Sequence, residues 1–144
     1  MIELSDTLVA ARRSGDYSQL LQASPYGRYM GFEVDVEGDT TRLRLPFQDR
    51  WVGNPKLPSL HGGVVGAVLE LAGLVQLVHS QHTEGLPQLV DLTVDYLRQA
   101  RAEQLIAEAE VLRAGRRVAN LRMVAYQGDR QQLVASGRGH FLVV

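Results

Sequence analysis

The sequence contains no cysteine and a single lysine, Lys56, and its formal net charge is −1. Each shortage excludes something. Without cysteine there can be no disulfide, thiolate metal site or cysteine nucleophile, and the composition fits a reducing compartment. Without net positive charge there is no sequence-wide basic field to attract nucleic acid or a membrane surface. The basic residues other than Lys56 are arginines, which suit bidentate contact with phosphate or carboxylate. Residues 1–21 hold no apolar signal core and place Arg12 and Arg13 in mid-segment, so a cytoplasmic protein is expected. The apolar run from Gly62 to Val78 is interrupted by Glu70 and Gln76 and is short of the roughly 20 residues of a membrane span. P-loop, dinucleotide and serine nucleophile-elbow patterns are missing. His79 and His82 have the spacing of a metal pair, with Glu84 nearby, but no convincing third ligand joins them, and no metal site is expected.

What is present suffices for one core. A chain of 144 residues, 45% hydrophobic and 22% charged, is an ordinary single globular domain. Residues 5–22 read as a short amphipathic helix with Leu8, Val9, Leu20 and Leu21 as its apolar positions and Gly15 as a break; residues 1–24 form a helical extension. "SPYG" at 24–27 reads as a turn. "GFEVDVEG" and "TTRLRLPF" alternate as two strands joined at Gly38-Asp39, and 48–60 reads as a loop. Residues 62–80 are too long for a strand and read as a helix that is apolar on all sides, hence buried. Its wheel places Val64, Val68, Leu71, Val75 and Val78 on one face, with Gly66, Ala72, Gly73 and Leu77 on the other. Four strand-like stretches follow, near 88–98, 104–113, 117–127 and 131–143. Short connections imply antiparallel pairing, so the expected class is α+β, an antiparallel sheet wrapped around one long helix.

The stretch "LHGGVVGAVLELAG" (60–73) carries one acid inside an apolar run. Glu70 has Gly66, Gly73 and Leu74 at helical spacing, and no arginine or lysine to pair with. An unpartnered buried carboxylate is costly and has a raised pKa, which favours a functional acid. The alternative is a glutamate that reaches solvent or pairs with a distant arginine. His61-Gly62-Gly63 exposes backbone N–H groups at a helix start, which can bind an anion or a developing oxyanion. Taken alone, a tight glycine-rich helix entry is the commoner explanation. Asn54, between Gly53 and Pro55, is by type a turn residue. Arg113, Arg116 and Arg117 cluster at one turn and suit either phosphate or solvent. Phe32, Phe47, Trp51 and Tyr96 could line a pocket, but residues of these types are more often core.

Together, Asn54, "HGG" at 61–63 and an acid nine residues after the histidine resemble the hotdog-fold thioesterases of the phenylacetate-degradation (PaaI-like) and 4-hydroxybenzoyl-CoA types. "LVDLTVDYLRQA" (89–100) and "AEAEVLRAGRRVA" (107–119) extend the likeness to roughly residues 25–143. The resemblance implies an acyl-CoA thioesterase with no metal or organic cofactor, acting as a homodimer whose dimers often pair into tetramers. It implies that the Gly62 N–H, with Gly63 beside it, binds the thioester carbonyl oxygen. Asn54 and His61 would orient the thioester or water, and Glu70 would be general base or nucleophile. Arg116 and Arg117 would lie near the phosphates of coenzyme A. Many relatives carry Ser or Thr where this chain has Leu89, two positions before Asp91, a position that helps to hold water. A hotdog hydratase and a non-catalytic acyl-CoA-binding protein are the rival functions. If Gly62 and Glu70 serve one carbonyl, eight residues of helix hold them roughly 12 Å apart within a chain. The site is therefore expected to be shared between two chains.

Overall fold

A computed structural model describes residues 4–144. The N-terminal extension is three short helices: α1 (Leu4–Ser14), α2 (Ser18–Gln22) and α3 (Pro25–Met30). Gly15 breaks the first from the second at φ 73°, a left-handed conformation natural to glycine. Leu8, Leu20 and Leu21 are buried as expected, but Val9 is half exposed. The expected turn at 24–27 is instead the start of α3. Ser24 accepts from the Gly27 N–H as its N-cap, and Pro25 occupies the first turn, where its missing N–H costs nothing.

Strands β1 (Glu33–Glu37) and β2 (Thr40–Leu45) form the expected hairpin. Residues 48–60, read as a loop, hold a short 3-10 turn at Asp49–Trp51 and a small hairpin, β3 (Val52–Asn54) with β4 (Ser59–Leu60). Then come α4 (Gly62–His79), β5 (Gln88–Tyr96), β6 (Leu105–Ala114), β7 (Val118–Tyr126) and β8 (Leu133–Leu142). The main sheet is antiparallel in the order β1-β2-β6-β7-β8-β5, which leaves β5 as an edge.

The sheet wraps α4, which packs against β2, β6, β7, β5 and β8. By length and composition α4 could cross a membrane, but here it is the core helix of its own sheet. Its buried face is Val65, Val68, Leu69, Ala72, Val75 and Gln76, with Gly73, Leu77 and Val78. Val64 and Leu71, expected on that face, lie on its flank, half-buried. Ala72, Gly73 and Leu77, expected opposite, are interior; Gly73 is there because the Phe141 ring fills the space of its side chain, 2.8 Å from where a Cβ would stand. Phe32 and Trp51 belong to the core, whereas Phe47 and Tyr96 are exposed.

Candidate active site

Glu70 and Gln76, both polar and both within α4, have opposite fates. Gln76 is buried and fully occupied: its Oε1 accepts from the Thr41 N–H and hydroxyl, both at 2.9 Å, and its amide donates to the Asp39 carbonyl at 2.8 Å. It pins the helix to the β1–β2 hairpin. Glu70 is half-buried on the open side of α4, and among the described residues no hydrogen bond or ion pair reaches it. Burial pushes its carboxyl above the ordinary glutamate range. A buried structural polar group finds partners; Glu70 has none among the described residues.

The start of α4 can be accounted for N–H by N–H. His61 is the N-cap, and its Nδ1 accepts from the Gly63 N–H at 2.9 Å. The Val64 and Val65 N–H groups both donate to the His61 carbonyl, at 2.9 and 3.2 Å. Among the described residues only the Gly62 N–H of this turn is left without an acceptor. It lies at the positive end of an 18-residue helix. The capping bond also fixes the tautomer of His61: with Nδ1 accepting, a neutral ring carries its proton on Nε2. His61 is thereby set to donate a hydrogen bond through Nε2, not to take up a proton there. Gly63, expected beside Gly62 as a binding residue, spends its N–H on the cap instead.

The residues around this turn hold it in place. The His61 N–H donates to the Trp51 carbonyl at 2.8 Å. Gly53 lies so close to His61 that a Cβ would stand 2.8 Å from the His61 Cα. Asn54 is thereby next to the helix start, as expected. Its Oδ1, however, accepts from the Lys56 and Leu57 N–H groups at 3.1 and 3.4 Å. That is the local turn its residue type favours, and it leaves only the amide nitrogen to face a substrate. Tyr96, at the end of β5, donates to the Gly62 carbonyl at 2.8 Å.

The remaining expected residues lie elsewhere in the chain. Arg116 and Arg117 are on the β6–β7 turn, beside Thr83, Glu84 and Val144, beyond the C-terminal end of α4. The helix separates them from Gly62 by roughly 27 Å at 1.5 Å per residue. Leu89 pairs with Phe141 at the start of β5, about 23 Å along the strand from Tyr96. One chain does not bring these residues to Gly62. His79 is also accounted for: its ring nitrogens meet the Tyr17 hydroxyl at 2.7 Å and the Gly38 carbonyl at 2.8 Å, so it holds the N-terminal helices.

A concavity of about 860 Å³ lies by the C-terminal end of α4, lined by Gln76, His82, Glu108, Arg122 and Arg130 among others, and includes neither Gly62 nor Glu70. Its buried acid is committed. Burial alone would raise the Glu108 carboxyl, but hydrogen bonds from Arg130 and Tyr126 outweigh it and hold it low.

Tyr26 was not marked out by sequence. It lies on α3, in a segment read as a turn, and its hydroxyl pKa is raised first by burial and then by the charge of Glu70. The signal available was Ser24-Pro25, an N-cap followed by a first-turn proline.

An antiparallel sheet curled around one long helix is the architecture of the hotdog class. The comparisons agree. The family model described as acyl-CoA thioesterase N-terminal domain matches residues 49–142. The medium/long-chain acyl-CoA thioesterase YigI of Escherichia coli (strain K12) is 32% identical over 133 residues, covering 83% of this chain and 85% of that one. A solved protein of the thioesterase superfamily superposes with a TM-score of 0.80 at 28% identity, over 88% of this chain and 95% of that one. A structure from Chromobacterium violaceum gives 0.75 at 32% identity, over 95% and 96%. The chain belongs to the acyl-CoA thioesterase family of the hotdog superfamily.

Proposed function

We propose that this protein hydrolyses medium- or long-chain acyl-CoA at a site built from two chains, with Gly62 and His61 from one and Glu70 from the other. The observation that carries the proposal is the single N–H left unspent at the start of α4. The Gly62 N–H binds the thioester carbonyl oxygen and stabilises the charge that develops on it. The His61 Nε2–H and the Asn54 amide nitrogen orient the thioester or water. Ionised Glu70 takes a proton from water as that water attacks the carbonyl carbon, or attacks the carbon itself; water then completes the hydrolysis. The products are a carboxylic acid and the free thiol of coenzyme A. Protein groups and water suffice, so no cofactor enters. The chain-length class rests on the name of the Escherichia coli relative and on the half-buried apolar flank of α4 at Ala67, Leu71 and Leu74. A cytoplasmic setting, suggested by the cysteine-free sequence, is part of the same reading.

A second copy fits best at β5. This edge strand has nine residues, is paired on one side, and leaves Val90, Tyr96 and Leu97 each more than half exposed nearby. An uncovered edge of that kind invites another strand. Antiparallel pairing of β5 with its copy would set the Gln88 end of one chain beside the Tyr96 end of the other. The partner's Leu89 and its arginine turn would then approach Gly62, which one chain alone cannot achieve. Such dimers would be free to pair into tetramers.

Two assays test this. Purified protein is expected to release free thiol from acyl-CoAs of medium or long chain; a folded dimer that binds them and releases none would be a binding protein. Arg116→Ala and Arg117→Ala are expected to raise KM for acyl-CoA by roughly tenfold, the worth of a charge-assisted hydrogen bond, and to spare the matching acyl-pantetheine thioester. Equal losses on both substrates would remove phosphate recognition from the account.

A further inference from the structure

We infer that Tyr96 is the positioning residue that aims the oxyanion donor. The inference rests on the assignment of that donor to the Gly62 N–H. Two consecutive glycines open α4, and glycine has the freest backbone of any residue, which suits close approach but not precise aim. Productive donors must be held within about 0.5 Å and 10–20°. Something must therefore restrain Gly62.

The restraint is visible in the peptide that follows it. The peptide unit between Gly62 and Gly63 is gripped at both ends. Its carbonyl accepts from the Tyr96 hydroxyl at 2.8 Å, and its N–H donates to His61 Nδ1 at 2.9 Å. On the other side of Gly62, the peptide unit that carries its N–H is held through the His61 carbonyl, which accepts from the Val64 and Val65 N–H groups at 2.9 and 3.2 Å. With both flanking units fixed, the Gly62 N–H has little rotation left. The Tyr96 ring adds a wall: a Cβ on Gly62 would sit 3.4 Å from its hydroxyl and 3.5 Å from ring carbons, and one on Gly66 would sit 4.0 Å from the hydroxyl.

A tyrosine that is 58% exposed is not needed for the core. Its hydroxyl makes one hydrogen bond, and that bond goes to the carbonyl of the donor residue. Tyr96 never touches the reacting atoms in this scheme; it acts through Gly62.

Tyr96→Phe keeps the ring and removes the hydroxyl. In a variant with unchanged melting temperature and oligomeric state, kcat is expected to fall about tenfold, the effect of one lost hydrogen bond, with KM within about twofold. The decisive readout is the infrared carbonyl stretch of an acyl-CoA bound to Glu70→Gln protein, where turnover is slow. The stretch is expected to shift to lower frequency on binding, and to shift less when Tyr96→Phe is added. A merely structural role would leave the stretch unmoved. An equal red shift with and without the hydroxyl overturns the role of Tyr96 and leaves the donor intact. No red shift in either protein overturns the donor itself, and the inference with it.

Discussion

Glu70→Gln is expected to lower kcat by a factor of about 10² or more while the protein stays folded. The motive is the contrast within α4 between a fully bonded Gln76 and an unpartnered, half-buried Glu70. Gln matches Glu in size and cannot act as base or nucleophile. The pH dependence follows from the raised carboxyl. Activity needs the ionised form, so kcat/KM should rise with pH through an apparent pKa above the ordinary glutamate range, and the Gln variant should lose that limb. Stability moves the other way. A carboxyl whose folded pKa is raised binds its proton more tightly folded than unfolded. Its contribution is fully present below the unfolded pKa and is lost as pH rises through the folded one. Above the folded pKa that contribution is gone, so there Glu70→Gln should melt slightly higher than the parent while turning over far more slowly. A folded Gln variant with parental kcat would remove Glu70 from the chemistry.

Gly62→Pro should be nearly as damaging, for a reason that isolates one hydrogen. Proline removes the N–H, and loss of one oxyanion donor costs roughly 10²–10³ in kcat. The backbone is ready to accept it. Gly62 is the first residue of α4, where proline is favoured and the N–H has no partner among the described residues to lose. The preceding His61 sits at φ −60° and ψ 133°, the extended conformation that a residue before proline requires. Gly62→Ala is the control. It keeps the N–H, and its methyl meets Tyr96 at 3.4–3.5 Å, ordinary contact, so activity should remain within severalfold of the parent. Comparable kcat in the Pro and Ala variants would show that this N–H does not bind the carbonyl oxygen.

The order of strands and the long central helix were legible because period-2 alternation and glycine turns mark each strand in β6 to β8, and 18 apolar-rich residues exceed any ordinary strand. The orientation of α4 was not. A helix apolar on every side has no polar face to say which side the sheet covers, so grouping Val64 and Leu71 on one face and Ala72 and Gly73 on the other left open which would be buried. Only the Phe141 ring, remote in sequence, decides where Gly73 faces. The hairpin of β3 and β4 was hidden because prolines and glycines that mark a loop also mark a short, bulged pair.

The site divided in the same way. His61, Gly62 and Glu70 stood out because their types conflict with their surroundings, a local property of sequence. Gly63 could not be separated from Gly62 until the capping bond showed which N–H is spent. Asn54 kept both of its characters, turn-former and neighbour of His61. Arg116, Arg117 and Leu89 were associated with the site through the family alone, and the fold sets them at the far end of α4 from Gly62. Their assignment now depends on a second chain.

That dependence is tested most directly by mixing two separately inactive proteins, His61→Ala and Glu70→Gln, under conditions of verified subunit exchange. If each site takes His61 and Gly62 from one chain and Glu70 from the other, half the dimers are mixed. Each mixed dimer has one intact site and one doubly damaged site, so about one quarter of all sites recover. The account predicts thiol release from acyl-CoA returning to that level. If every site lies within a single chain, each site in a mixed dimer carries one damaging substitution. Activity that stays at the level of the separate variants after exchange would contradict the shared site.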